Sequence, residues 1–508
     1  MKREMAMMGF QMSIVSALAV AIFWAFTTAE AEDAAPREFK PTHESLVRYG
    51  VPDWYKDAKF GIYLHWGLNC VPAYHGQYGG AMYKKNDKAQ KGKLPVQEYH
   101  IKTYGPLNKF GFKDFIPMFK MEKFDPEYYG DLAKKVGAGY WLQLGVHHGG
   151  FAMYDSKNFT FNSFRMGPKR DVVAEIFAAM RKRGIHVGIS THIGRHWRYR
   201  EFSPEYDDWD PKYEALYGHR RGPNDPPRTE DAEKWEDEHR YIIDKYKPDY
   251  IFIDGGIVDA NRYSDMFIKA LYRVTAYYYT RSRAWGKGVV LTWKRKAMKS
   301  DEAVRDMENL RDINKDFPGI VPYKWQIHTP LVGWFYTKGC EDRRIDAERY
   351  IRLLMEVVSR NGNLLLGITA KSDGTLTKNQ IDTLDGIGKW LKVNGEGVYG
   401  TVPWKTHGSG VFSQAAGSAD RGQRVEKDAV RFTAKGNAVY AFVGAWPADG
   451  KVEIKGLTKE LFGGNAASVT MLGSPEPLKW KFNGDGLEVT LPSKKPCEAV
   501  WTLKVERE

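Results

Sequence analysis

From about residue 55 to residue 395, short apolar runs alternate with longer stretches of helical period. The runs fall at 60–65, 140–147, 186–191, 250–254, 289–293 and 363–368. They lack the polar alternation of a half-exposed strand, so they predict strands buried on both faces. Helices are predicted between them. One starts at Asp125-Pro126, a capping aspartate with proline in the first turn, and stops at Gly137; another runs from Asp171 to Arg183 and stops at Gly184. A strand followed by a helix, many times over, makes a mostly parallel sheet covered by helices, an α/β fold. Beyond residue 400 the helical period disappears. DAVRFTAKGNAVYAFVGAWPADGKVEIKGL alternates strand-like runs with Gly, Asn and Asp-Gly turns, which predicts an all-β domain, a sandwich, over 405–508 behind a barrel-like domain over 45–400. The charged, proline-bearing stretch 200–240 reads as a long solvated loop over the sheet's mouth, either a lid or a plain insertion.

Polar residues enter these runs at one place. His65-Trp66, His147-His148, His192 and Asp254 all stand at the carboxyl ends of their strands, where parallel barrels and doubly wound sheets gather their active sites.

The amino terminus adds a compartment. Lys2 and Arg3 precede an apolar stretch from about Met12 to Phe26, and Ala29-Glu30-Ala31 follows as a cleavage site. This is the pattern of a signal peptide over 1–31, with the product secreted or periplasmic. The stretch is shorter than the ~20 residues of a membrane span, and no later run is long enough to be one. Cys70, Cys340 and Cys497 are odd in number and far apart, which argues against a disulfide framework or a thiolate zinc site. The net charge of +13 favours anionic partners. Charges of both signs are scattered without a basic stripe, so nucleic acid is disfavoured.

Seven segments, in order, resemble one family: KFGIYLHWG (59–67), FDPEYYGDLAKKVGAGY (124–140), HHGGFAMYDS (147–156), PKRD (168–171), YKPDYIFIDGG (246–256), NGNLLLGI (361–368) and IGKWLKVNGEGVYGT (387–401). Together they are similar to the glycoside hydrolase family 29 α-L-fucosidases. The resemblance covers roughly residues 45–405 and implies a (β/α)8 TIM barrel followed by a C-terminal β domain. It implies a secreted retaining exo-glycosidase for terminal α-L-fucosyl linkages, working by double displacement on a fucosylated glycan, with no metal and no cofactor. The +13 charge brings sulfated glycans into consideration.

Such chemistry needs two carboxyl groups ~5–5.5 Å apart. The resemblance makes Asp254 the nucleophile and Glu308 the acid/base, with Asp306 and Glu302 as the nearest substitutes. It places Lys294, Trp325 and Trp334 near the sugar and assigns His65, His147 and His148 to its hydroxyls. Trp66 either stacks on the sugar or packs in the barrel. His192 and His196 stand where the family has tyrosine and serine, and their roles stay open.

Three departures bear on the sugar: Ala81-Met82-Tyr83 in place of Glu-Trp-Tyr, Gly149 in place of Asp, and Ser190-Thr191 in place of tyrosines. A related L-sugar such as α-L-galactose and a non-catalytic glycan-binding protein are therefore alternatives. A metal-dependent hydrolase built on His65, His147, His148 and His192 is another. It is disfavoured because adjacent histidines on a strand point to opposite faces.

Overall fold

The computed structural model describes residues 38–85, 92–222, 225–254, 264–294, 297–308, 313–412 and 425–508. The expected signal peptide and Gly255-Gly256 of the segment 246–256 lie outside them.

Eight parallel strands close into a barrel in chain order: β1 (Phe60–Leu64), β2 (Tyr140–Val146), β3 (His186–Thr191), β4 (Tyr250–Ile253), β5 (Val290–Lys294), β6 (Val304–Asp306), β7 (Trp325–Pro330) and β8 (Gly362–Ile368). β1 closes the ring against β8, with Phe60 beside Leu364 and Leu64 beside Ile368. Six strands match the apolar runs. β6 and β7 do not, and the reason is compositional: β6 has three residues, and β7, WQIHTP, is broken by Gln326 and His328 into single apolar positions with no continuous apolar run.

The helices begin where the capping residues place them. Asp125 accepts the Glu127 N–H ahead of the helix Pro126–Lys135, and Asp171 accepts the Ala174 N–H ahead of Val172–Arg181. Beyond the first of these, Gly137 takes φ +79°, and a Cβ there would meet the Tyr399 hydroxyl at 2.6 Å, so glycine is required on two counts.

The stretch 200–240 is not a solvated loop. It holds two short 3₁₀ turns and the helix Glu214–Tyr217, and from Thr229 onward it is the long barrel helix Thr229–Tyr246. Its buried face, Ala232, Trp235, His239, Ile242, Ile243 and Tyr246, has helical spacing. The dense charges between those positions obscure that period in the sequence. Asp207 is buried as well, accepting hydrogen bonds from Tyr83 (2.7 Å) and Tyr217. Tyr83 is thereby committed to the packing of this segment.

After the barrel come a five-stranded antiparallel sheet and a three-stranded one. The first is ordered β13 (Ala466–Met471), β16 (Trp501–Arg507), β11 (Ala438–Val443), β10 (Val430–Lys435), β9 (Val402–Ser409); the second is β12 (Lys451–Lys455), β15 (Gly486–Thr490), β14 (Lys479–Phe482). Phe432, Leu503, Ile454 and Leu487 share one core between them. The joint to the barrel is polar. Glu356, buried on the helix Ala347–Val358, accepts Arg431 of β10 at 2.6 and 2.9 Å and pairs with Arg360.

Candidate active site

The barrel interior is built by alternation. Tyr63, Tyr140, Leu142, Leu144, Tyr250, Phe252, Val290, Val304 and Leu365 form one inner cluster. Two residues further along their strands, side chains of the same facing reach the carboxyl-terminal mouth. Tyr63 leads to His65, Phe252 to Asp254, Thr292 to Lys294, Val304 to Asp306 and then Glu308, Gln326 to His328, and Ser190 to His192. β2 is the exception. Its pairing with β3 shifts between Leu144 and Val146, Val146 packs in the outer core, and His147 takes the inward position instead.

Lys294 is the centre of the charged group. Its Nζ lies 2.5 Å from Asp254 Oδ1 and 2.7 Å from Glu308 Oε2. Those two oxygens are therefore no more than about 5.2 Å apart. On the other side, Asp254 Oδ2 lies 3.3 Å from His192 Nε2, which is 3.0 Å from the Tyr63 hydroxyl and 3.1 Å from Ser190 Oγ. Beneath Glu308, His328 Nε2 is 3.8 Å from Glu308 Oε1, and His328 Nδ1 is 2.7 Å from Asp306 Oδ2. The Gln326 amide donates to Asp306 Oδ1 at 2.8 Å. A continuous polar column thus rises from the barrel floor to the mouth.

Burial alone would raise the Asp254 carboxyl, but His192, Lys294 and His328 outweigh it and hold it well below the usual carboxylate range. His192 is itself held neutral by burial, so Lys294 is the cation that matters at neutral pH. Burial likewise opposes the Lys294 charge, and Asp254, Glu308 and Asp306 more than restore it. The site holds an ionised Asp254 locked to a charged lysine.

The histidines form the other wall. Burial pushes His65 down to about 3 and His148 down to about 4, and holds His147 well below the usual imidazole range. All three are neutral hydrogen-bonding groups at physiological pH. His148 Nδ1 donates to the His192 carbonyl at 2.5 Å, which leaves Nε2 as an acceptor. Nδ1 of His65 and Nδ1 of His147 are buried with no partner among the described residues. Leaving such atoms unsatisfied costs roughly 1–3 kcal/mol each, which a ligand's hydroxyls would relieve. Ring nitrogens of His65, His147 and His192 lie within 4.8 Å of one another, close enough to suggest a metal. The Lys294 ammonium already bears on His65 and His192, and its charge opposes a second cation at this wall. The set suits hydroxyls better.

Most of the residues expected from the sequence converge here: Asp254, Glu308, Lys294, His65, His147, His148 and Trp334. The Trp334 ring lies 5.5 Å from His65 and 4.9 Å from His328. Two do not. Trp325 opens β7 on the outward side, because Gln326 takes the inward place. Its indole donates to the Arg360 carbonyl at 2.9 Å and stacks on Phe317 at 4.0 Å. Trp66 is fully buried, donates to the Lys371 carbonyl at 2.9 Å and packs on Phe119 and Phe124. The void beside it, about 10 Å³, has room for no more than a water. Of the substitutes for Glu308, Asp306 is enclosed beneath His328 and Gln326. Glu302 is turned away from the barrel mouth, bonded to Tyr272 and His43. His328, Tyr63 and Phe335, whose ring lies 4.5 Å from His65, were not singled out by sequence. Counting by two from Gln326 finds His328, once β7 is known to be a strand.

Comparisons with known proteins identify the family to which both domains are similar. The family model described as "Alpha-L-fucosidase" matches residues 26–396, and "Alpha-L-fucosidase C-terminal domain" matches 424–506. The chain is 29% identical over 492 residues to the tissue alpha-L-fucosidase of Rattus norvegicus, covering 94% of this chain and 95% of that one. It is 30% identical over 483 residues to the Bos taurus tissue enzyme, covering 92% of each. Among solved structures, the Thermotoga maritima alpha-fucosidase in complex with a mechanism based inhibitor superposes with a TM-score of 0.71 at 27% identity, covering 92% of this chain and all of that one.

Proposed function

Because the chain belongs to the family 29 α-L-fucosidases, which are glycoside hydrolases, we propose that it releases terminal α-L-fucose from glycans with retention, through a fucosyl-enzyme intermediate on Asp254. The observation that carries this reading is the pair Asp254 and Glu308 on one lysine nitrogen. Their oxygens are at most about 5.2 Å apart, whereas an inverting pair needs ~6.5–9.5 Å to admit a water.

In the first step an Asp254 oxygen attacks the anomeric carbon as the glycosidic C–O bond breaks, and Glu308 gives its proton to the leaving oxygen. In the second, Glu308 takes a proton from water, and that water displaces Asp254 from the sugar. Lys294 keeps Asp254 ionised for attack. Neutral His148 accepts from a sugar hydroxyl through Nε2, His65 and His147 accept or donate according to tautomer, and Trp334 supplies an apolar wall. Glu308 is the more exposed carboxylate, its side chain 29% accessible against 10% for Asp254. This suits an acid that faces the departing glycan. The relative bound to a mechanism based inhibitor is consistent with a covalent step. Export is part of this proposal, on the signal-peptide pattern of residues 1–31.

The test is hydrolysis of 4-nitrophenyl α-L-fucoside beside the aryl α-L-galactoside. Asp254→Asn should abolish turnover, and Glu308→Ala should be rescued by azide as the fucosyl azide. A Glu308→Ala enzyme that azide leaves unchanged, or faster galactoside than fucoside hydrolysis, would overturn the respective assignment.

A further inference from the structure

Beside the catalytic pocket, between the 3₁₀ segment Ile193–Arg198, the helix Glu214–Tyr217 and the start of the helix Thr229–Tyr246, lies a second cavity of about 320 Å³. That is within the size range of small-molecule sites. Phe159, Trp197, Trp235 and Phe267 supply aromatic surface in its wall. Two buried polar atoms of its lining have no hydrogen-bond partner among the described residues: His196 Nε2 and Trp235 Nε1. His196 is 9% exposed and Trp235 2%.

The two atoms are complementary. His196 Nδ1 lies 2.9 Å from the His148 carbonyl, which can only accept, so Nδ1 carries the proton and Nε2 offers a lone pair. Burial keeps the ring neutral, well below the usual imidazole range. The Trp235 indole can only donate. The ring of His196 is also held in place. A Cβ at Gly150 would lie 2.6 Å from its Cε1, and one at Gly218, which lines the cavity, 3.4 Å from its Nε2. One acceptor and one donor among aromatic faces match a sugar unit, whose hydroxyls do both while its C–H face packs on rings. The acids of the lining are largely matched: Asp231 pairs with Arg221 at 3.2 Å, Glu214 with His219 at 2.7 Å, and Lys234 stands beside Glu230, so the wall offers no surplus cation to hold a sulfated or uronic unit.

We propose that this cavity is an accessory carbohydrate site for a neutral, unsulfated sugar unit, held between His196 and Trp235 and separate from the Asp254 pocket. It rests on the glycan reading only for the kind of ligand. His196 joins it to the catalytic wall through the backbone of His148.

The experiment reads binding without turnover, so its outcome and that of the fucosidase assay are independent. Methyl β-D-galactoside, methyl β-D-xyloside and lactose are titrated against the full protein by saturation-transfer NMR, with and without saturating L-fucose. Two variants accompany the wild type. Trp235→Phe removes the donor, and Ala215→Trp fills the cavity without removing any hydrogen bond. At least one probe should bind the wild type in the presence of fucose and lose about tenfold in affinity in Trp235→Phe. Ala215→Trp should lose binding altogether, and it decides the matter alone if Trp235→Phe does not fold. Failure of all three probes to bind, displacement by L-fucose, or binding that persists in Ala215→Trp would each overturn the proposal and leave the cavity to water.

Discussion

Replacing Lys294 by methionine keeps the length of the side chain and removes the charge between Asp254 and Glu308. Glu308 carries its proton when it acts as the acid, so what the substitution removes from Asp254 is the field of the ammonium, whose Nζ lies 2.5 Å from Oδ1. At an effective dielectric of 20 such an attraction is worth roughly 4 kcal/mol, or about three pK units. Burial, which already opposes the Asp254 charge, acts in the same direction. In the wild type Asp254 is held well below the usual carboxylate range, so its titration does not limit activity in the working range. In Lys294→Met the acid limb of kcat/KM should move up by at least about two units, and activity at pH 5 should fall well over tenfold. Lys294→Arg should restore most of it. The assay is kcat/KM on 4-nitrophenyl α-L-fucoside from pH 4 to 8, quenched in base for reading. An acid limb in Lys294→Met that coincides with the wild type would refute the claim that this lysine sets the ionisation of the nucleophile.

Three other perturbations separate site from scaffold. Because His65 and His148 titrate at about 3 and about 4 in the fold but near 6.5 when unfolded, their contribution to stability is complete above pH 6.5. It falls as pH drops toward those folded values, by roughly 1.4 kcal/mol per histidine per pH unit. The melting temperature of His65→Asn should depend less steeply on pH between 6 and 4.5 than that of the wild type, and equal slopes would contradict the burial argument. Glu356→Ala removes the carboxylate that pairs with the buried Arg431 and Arg360 at the joint between barrel and β domain, and urea denaturation should show a loss of about 3–5 kcal/mol. Trp334→Ala should raise KM for the aryl fucoside about tenfold or more, while Trp325→Phe should leave KM unchanged and cost about 1 kcal/mol of stability for its lost bond to Arg360. The reverse pattern would place the wrong tryptophan at the sugar.

What the chain reveals before folding follows from where polar residues stand relative to apolar runs. β1, β4 and β8 are legible because they are continuously apolar, and His65 and Asp254 because they end such runs. β7 is not legible, since Gln326 and His328 break the continuous apolar run that signals a buried strand. Losing β7 also hides which of its two facings holds a tryptophan, so Trp325 reads as a pocket residue. Trp66 follows the same logic on β1, where His65 takes the inward place and the next residue points out of the barrel. The helix Thr229–Tyr246 is masked by its own solvent face, whose acids and lysines outnumber its buried positions. Lys294 bridging Asp254 and Glu308 is visible only in three dimensions, because β4, β5 and β6 must first be adjacent.

The most direct measurement is to incubate the protein with 2-fluoro-fucosyl fluoride, digest it, and locate the retained sugar by mass spectrometry. A fluorofucosyl group on the peptide containing Asp254, absent from Asp254→Asn, is the predicted result. A label on any other carboxylate, or none from an enzyme that still hydrolyses the aryl fucoside, would contradict a retaining mechanism through Asp254.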